Sequence, residues 1–450
     1  MRIVQIIAFL AAVGITVFLA RKKYVEVWRN IRRGKSVDID PATKGERWKN
    51  MFLIAFGQKK MFQNWIPAVF HLFIYVAFLF TQIELIEIFI DGLFGTHRAI
   101  WHLVENNFLG GLYTLVINCI EILSVLAFVA TLVFLARRNL LKVPRFIKPE
   151  MKGWPKLDGN IILYLEIVLL VGVFCMNVGD KALQLKGAEG YSQTGFFLVS
   201  STFAPLFEGW SIGALKGMER FGWWLHLITV FGFLNYLPYS KHLHIMLAFP
   251  NTWYSRLKSR GEMDNMPAIT NEIKMMMDPN AAMDEAPAEE GEPEKFGAKD
   301  VEDFEWTSLL AAYTCTECGR CTDACPANQT GKALSPRAIV MSLRDRMEDK
   351  AKNEVEHGKD HDDGKSLFDY IQKEEINACT TCNACVQECP VNINPMNMIL
   401  ELRRYKIMEE ADSTEEWNLM FTNTENNGAV WQFNPADRAK WKEELKSEES

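Results

Sequence analysis

Eight of the ten cysteines lie between Cys315 and Cys389, in two copies of one pattern. CTECGRCTDACP supplies Cys315, Cys318, Cys321 and Cys325 ahead of Pro326; CTTCNACVQECP supplies Cys379, Cys382, Cys385 and Cys389 ahead of Pro390. Three closely spaced thiolates can wrap three corners of an iron–sulfur cubane, while the fourth cysteine of such a run reaches the neighbouring cubane. One [4Fe–4S] cluster is therefore expected on Cys315, Cys318, Cys321 and Cys389, and a second on Cys379, Cys382, Cys385 and Cys325. Zinc is the competing chemistry, but it usually takes four ligands from paired Cys-x-x-Cys units, whereas each copy here carries four cysteines and a proline. Dense cysteine clusters of this kind point to metal in a reducing compartment rather than to disulfides.

Imidazoles form the second chemical group. WWLHLITVFGFLNYLPYSKHLHI, residues 223–245, is apolar enough for a bilayer yet contains His226, His242 and His244. Read as one helix, it puts His226 and His244 on a shared face, about 27 Å apart, and turns His242 roughly 160° away from His226. AVFHLFIYV places His71 about two turns inside an earlier apolar run. His71 and His244 then reach similar depth and are expected to ligate one haem b; imidazole at both axial positions leaves no open site, which suits electron transfer. Thr81 stands where a mate for His226 is needed, and His97 and His102 are the other imidazoles on that side, with interfacial hydrogen bonding as their plainer role. Ionisable groups within a membrane are functional by default. Glu84, Glu87, Glu121 and Glu166 in apolar runs would carry quinone protons or pair with arginines and haem propionates. His357 and His361, in EHGKDHDDGK, read as solvated.

These groups need elements to hold them. Apolar runs at about 3–20, 65–90, 109–135, 160–183 and 222–247 are each long enough to cross a bilayer core of roughly 20 residues. A signal peptide is the alternative for the first, but its charges, Arg21, Lys22 and Lys23, follow the apolar stretch instead of preceding it. Basic residues crowd 21–60 and 136–159 and are sparse in 91–108 and 184–221, so the N-terminus is expected outside and everything after residue 250 in the cytoplasm, with the bundle in the inner (cytoplasmic) membrane. Net charge is −7, and no basic patch interleaved with aromatics suggests nucleic acid. The expected fold is mainly α: a five-helix transmembrane haem-binding domain over 1–255, a flexible acidic linker over 256–300, an α-helical dicluster domain over 301–410 and a tail over 411–450. The linker reads as a tether that leaves the soluble domain unfixed. SPRAIVMSLRDRMED, SLFDYIQKEE and MNMILELRRYKIMEE read as helices around the cysteines. Trp417, Phe421, Trp431, Phe433 and Trp441 of the tail would dock a partner or pack on the dicluster domain.

The layout of ligands on the second and fifth helices, closed by PYSKHLHI, resembles the gamma subunit of respiratory nitrate reductase and the membrane anchors of heterodisulfide reductases. That family binds two haems, and the resemblance puts His71, His226 and His244 on three of the four ligand positions. The fourth is Thr81, so one haem is implied and a second stays open, with His242 as an alternative ligand. FGAKDVEDFEWTSLLAAYTCTECGRCTDACPANQTGKALSPR is similar to the iron–sulfur region of heterodisulfide-reductase-related oxidoreductases, among them the electron-transfer-flavoprotein:menaquinone oxidoreductases. FTNTENNGAVWQFNPADRAKW resembles the segment leading to their cysteine-rich CCG domain, but departs from it at Gly428-Ala429-Val430-Trp431. The resemblance implies an electron-transfer subunit working between a soluble partner and quinone. It also implies a separate CCG-domain subunit and an electron-transfer flavoprotein as partners, beside membrane lipid. Heterodisulfide- or hydroxyacid-linked reduction is the runner-up, and a membrane-anchored redox sensor the alternative from another class. No dinucleotide-binding glycine loop is evident.

Overall fold

In a computed structural model, residues 2–277, 295–359, 361–432 and 434–448 are described, and they are mainly helical (72%) without β-strands. Four helices are long and apolar enough to cross a membrane: α1 (Arg2–Ile31), α2 (Trp65–Phe94), α3 (Leu109–Asn139) and α4 (Trp154–Leu185). The expected fifth span over 222–247 is not among these four helices of the described residues. Its helix, α5, covers Ile212–Tyr236, with Glu219 and Arg220 inside it, and does not reach the same apolar length. Pro238 lacks the N–H that would continue the i→i−4 ladder, and its ring crowds the carbonyl of Leu234, although Leu237 itself keeps helical φ/ψ. Two 3-10 turns follow, Leu237–Tyr239 and Lys241–Leu243, and a new helix, α6 (His244–Tyr254), starts at His244. His226 and His244 therefore do not share a helix face.

The long helices close into a ring in which α1 touches α2 and α5, α3 lies between α2 and α4, and α4 packs most closely on α5. Glycine makes that last approach possible. A Cβ on Gly222 would sit 2.3 Å from the Met176 backbone nitrogen, and one on Gly172 2.8 Å from that of His226. Such small residues let helix backbones approach where no hydrophobic effect drives them together.

The second half is built around α7 (Trp306–Thr314), α8 (Pro336–His357) and α9 (Pro395–Arg404). Ser335 caps α8 through the Ala338 N–H, with Pro336 in its first turn; Asn394 and Pro395 do the same for α9. The helix expected over SLFDYIQKEE breaks into a 3-10 turn at Leu367–Asp369 and a short helix at Lys373–Asn377. The linker expected over 256–300 is structured at both ends. Pro267–Met277 is helical, and Asp300 pairs with Arg346 (2.8 Å) and Lys350 (3.0 Å) of α8; residues 278–294 and Phe433 lie outside the described residues.

One apolar core runs from Val27 and Ile31 of α1 through Leu237, Leu243 and Ala248 into Leu309, Tyr313, Ile339 and Leu343. Polar contacts reinforce it: Asn30 Nδ2 donates to Tyr313 Oη (2.9 Å), Arg33 Nη2 to Glu354 Oε2 (2.7 Å), and Arg337 Nη2 to the Glu150 carbonyl (2.8 Å). Residues 34–35 run against 304–306, where a Cβ on Gly34 would lie 2.6 Å from the Trp306 nitrogen. Packing, not the tether, seats the cysteine-bearing half on one end of the ring.

Candidate metal centres and the imidazole cluster

The cysteine loops fold alike. Glu317 and Thr381, the second residues after Cys315 and Cys379, have φ of 46° and 55°; Gly319 and Asn383, which follow Cys318 and Cys382, have φ of 73° and 61°. These left-handed residues curl each loop so that its thiols converge. Backbone N–H groups of Thr381 and Ile393 point at Cys379 Sγ (3.4 Å) and Cys389 Sγ (3.3 Å). Buried Glu317 is fixed by Arg337 (3.0 Å) and Arg344 (3.3 Å).

The copies exchange their fourth cysteines. A cavity of about 310 Å³ is lined by Cys325 together with Cys379, Cys382 and Cys385. Cys315 lies within electrostatic reach of Cys318 and Cys389, and Cys321 adjoins all three. Among the described residues no three His, Cys, Asp or Glu side chains close on a single-ion shell; a cubane, several atoms across, needs a wider ring. Burial pushes the Cys315 and Cys385 thiols up to about 12 and Cys389 to about 11. Thiolates in these rings are thus costly unless a metal cluster takes the place of the protons.

The two rings face different ways. Cys315, Cys318 and Cys389 lie within electrostatic reach of Lys241, Arg145 and Lys60, all from the first half of the chain. Lys60 Nζ also donates to the Val386 carbonyl (3.0 Å). In the other ring Cys382 is exposed. Sequence reasoning used these basic residues only for orientation; Lys241 sits inside PYSKHLH, yet nothing in its spacing announced a cluster neighbour.

Directly below the first ring the chain gathers three imidazoles. His71 is within electrostatic reach of His244 and of Arg320, which adjoins Cys321 in sequence. The His242 and His244 rings are 5.5 Å apart, and His242 also reaches His71. The expectation that His242 faces elsewhere is corrected, because it assumed an unbroken helix. His71 Nδ1 lies 3.1 Å from Gln58 Oε1, and His244 Nδ1 2.9 Å from the Lys241 carbonyl. Each Nδ1–H donates to a carbonyl oxygen, leaving the Nε2 lone pair free, as in protein-held imidazole ligands. His242 Nδ1 is buried without a partner. These residues fit one haem. Gln58 was not singled out from sequence; it is buried at φ 50°, and only the fold brings it to His71.

The other candidates lie apart. His226 is packed between α5 and α4, with Nδ1 3.3 Å from the Leu169 carbonyl. Thr81 turns its hydroxyl back to the Phe78 carbonyl (3.1 Å). Phe9, Ile88, Met176, Trp223, Leu227 and Phe231 form one apolar cluster inside the ring, and no second imidazole pairs with His226, so the described residues offer no second pair of haem ligands. His97 pairs with Asp180 (3.3 Å) and His102 with Glu105 (3.4 Å). Glu121 accepts from the Val199 N–H (2.8 Å) and from Ser200, capping the helical turn there. His357 and His361 stack on each other, 4.6 Å between centroids. In the tail, Trp417 lies under Arg403 (5.8 Å), whose guanidinium donates to the Cys379 carbonyl (2.9 Å), while Phe421, Trp431 and Trp441 are exposed.

Comparison with known proteins agrees with this geometry. The family model described as a 4Fe-4S dicluster domain matches residues 311–393, a stretch containing all eight clustered cysteines, and the chain carries an iron–sulfur dicluster domain. It is 26% identical over 444 residues to the probable iron-sulfur-binding oxidoreductase FadF of Bacillus subtilis (strain 168), covering 92% of this chain and 57% of that protein. It is 28% identical over 448 residues to the EtfAB:quinone oxidoreductase of Syntrophomonas wolfei subsp. wolfei, covering 94% of this chain and 57% of that one. A probable membrane-anchored ferredoxin of Chromohalobacter salexigens is 31% identical over 169 residues, 33% of this chain and 24% of its own length. The chain thus spans a little over half the length of the two long relatives it matches, both named as oxidoreductases. No solved structure matches it.

Proposed function

We propose that the chain is a membrane-bound electron-transfer subunit, passing electrons between a soluble redox partner and the quinone pool through two [4Fe–4S] clusters and one haem b. The observation that carries this reading is the stacking order. A cysteine ring with one exposed member, Cys382, is followed by a ring facing Lys60, Arg145 and Lys241, and then by His71, His242 and His244 at the end of the helix ring. Haem held there would supply a one-electron carrier between the clusters and the membrane interior. His71 and His244 would hold it, oriented by Gln58 and the Lys241 carbonyl, with His242 as the alternative ligand. Cys315, Cys318, Cys321 and Cys389 would hold the inner cluster, and Cys379, Cys382, Cys385 and Cys325 the outer one.

The name of the Syntrophomonas wolfei relative, EtfAB:quinone oxidoreductase, supports a quinone and an electron-transfer flavoprotein at the ends of this path, and that of the Bacillus subtilis relative supports iron–sulfur redox chemistry along it. Exposed Cys382 and the exposed Phe421, Trp431 and Trp441 offer a face for a soluble partner, for which a CCG-domain iron–sulfur subunit is the second proposed identity. The test is anaerobic stopped-flow spectroscopy of the full chain in detergent with a short-chain menaquinol. Haem reduction followed by cluster bleaching is expected. A haem that stays oxidised while dithionite still reduces it would overturn the quinone assignment and favour a redox sensor.

A further inference from the structure

At the end of the ring away from the cysteines, a cavity of about 320 Å³ opens between α2, α4, α5 and the loop after α2. Charged residues line it beside apolar Ile88, Met176 and Trp223. Glu84, Glu87 and Asp91 enter from α2, Asp180 from α4, and Glu219 with Arg220 from α5; the loop adds His97 and Arg98. Five carboxylates thus face two guanidinium groups and one imidazole. Lys181 is also near Asp180 but is tied to Thr194 (2.6 Å) and the Gly195 carbonyl (2.6 Å). Glu121, which approaches Glu84 from α3, is occupied in its cap and offsets that lysine. Even with His97 charged, full ionisation would leave excess negative charge in a buried, poorly solvated site, and such sites neutralise by taking protons.

The hydrogen bonds say which carboxyl. Glu87 accepts from Tyr113 Oη (2.7 Å), Arg98 Nη1 (3.4 Å) and the Ile100 and Trp101 N–H groups. Asp91 accepts from Thr96, Arg98 N and Ala99 N. Asp180 receives Arg98 Nε (3.1 Å) and Gln184 Nε2 (3.1 Å), and Glu219 receives Arg220 Nε (2.9 Å). Glu84 is the poorest served. Its Oε1 takes Asn177 Nδ2 (3.0 Å) and only a distant Arg98 Nη1 (3.5 Å), while Oε2 has no partner although the residue is 3% exposed. An oxygen without a donor, turned to a cavity wide enough for water, is where an O–H belongs.

We propose that this cavity is a proton-exchange site in which Glu84 holds the proton and passes it, through water in the cavity, to the rim at His97 and Arg220. The step is an acid–base exchange alone: the Glu84 carboxyl O–H breaks, a water O–H forms, and no electron moves. The rim is partly open, with the Arg220 side chain 31% and that of His97 17% exposed. The site stands on its own geometry and does not depend on the haem or quinone readings. If those hold, it supplies a place for the protons of quinone chemistry at the end of the bundle away from the clusters.

Difference infrared spectroscopy of the full chain tests this, comparing H2O with D2O. A protonated-carboxyl C=O band is expected that downshifts in D2O, is lost in Glu84→Gln and moves in Glu84→Asp, while Glu166→Gln leaves it in place. Absorbance of the iron–sulfur clusters reports whether each variant is folded. If Glu84→Gln does not fold, Glu84→Asp decides by whether the band moves. A band unmoved by either Glu84 variant, or one that does not respond to D2O, would overturn the proposal.

Discussion

The two ends of the helix ring solve the problem of buried polarity in opposite ways. At the end facing the cysteines, imidazoles present free ring nitrogens, His242 Nδ1 has no partner, and basic side chains point at thiols. At the far end most polar atoms already have partners within the protein although carboxylates outnumber cations, with buried Arg98 reaching Asp180, Glu84, Glu87 and Asn177. A region left wanting partners is built for cofactors, whereas one that satisfies itself is built for stability. Asp180 Oδ1, which also lacks a hydrogen bond, has His97 at 3.3 Å, whereas Glu84 Oε2 has neither a donor nor an ion-pair contact of its own, and for that reason Glu84 carries the proton proposal.

The comparison breaks most visibly at the cysteines. Cys389→Ser should cost the inner cluster, bringing iron and labile sulfide down to about half of the wild-type content, because that thiol is lent across copies. Cys325→Ser should cost the outer one. Metal analysis with electron paramagnetic resonance would distinguish them, and if each substitution emptied only the cluster of its own copy, the crossed assignment would be wrong.

At the far end Arg98→Met should destabilise the fold by about 3–5 kcal/mol, since it strands several buried carboxylates, while leaving iron and haem content per folded chain unchanged. Denaturant unfolding in detergent reads the first quantity and absorbance the second. A smaller loss, about 1–3 kcal/mol, is expected for Gly222→Val, which forces α4 and α5 apart without touching a charge. Smallest is Glu354→Gln at the exposed edge of the docking face, where a surface ion pair with Arg33 contributes about 0–1 kcal/mol. A large effect there would mean that the two halves are held chiefly by that pair and not by the apolar core that joins them.

Much of this was legible from local pattern. The crossed cysteine rings follow from spacing, and four long helices from apolar length. SPRAIVMSLRDRMED became part of α8 because Ser335, Pro336 and the amphipathic run all point the same way. What failed was extrapolation of a regular helix through LPYSKHLH. Counting at 3.6 residues per turn assumed that Pro238 would be tolerated, and it instead ends the helix and delivers His242 and His244 side by side. Gln58 and Arg98 were illegible for a different reason. Their roles come from side chains distant in sequence, and neither residue type nor spacing encodes that meeting. At the edge of the acidic stretch after residue 256, composition does not reveal that Asp300 spends its charge on Arg346 and not on solvent.

The account rests on haem being clamped at the cysteine-facing end alone. Haem content of purified full-length protein, measured as pyridine haemochrome, should be one per chain in the wild type and in His226→Ala, and should fall to near zero in His71→Ala. Wild-type protein without haem, or haem content that drops in His226→Ala and survives in His71→Ala, would contradict it.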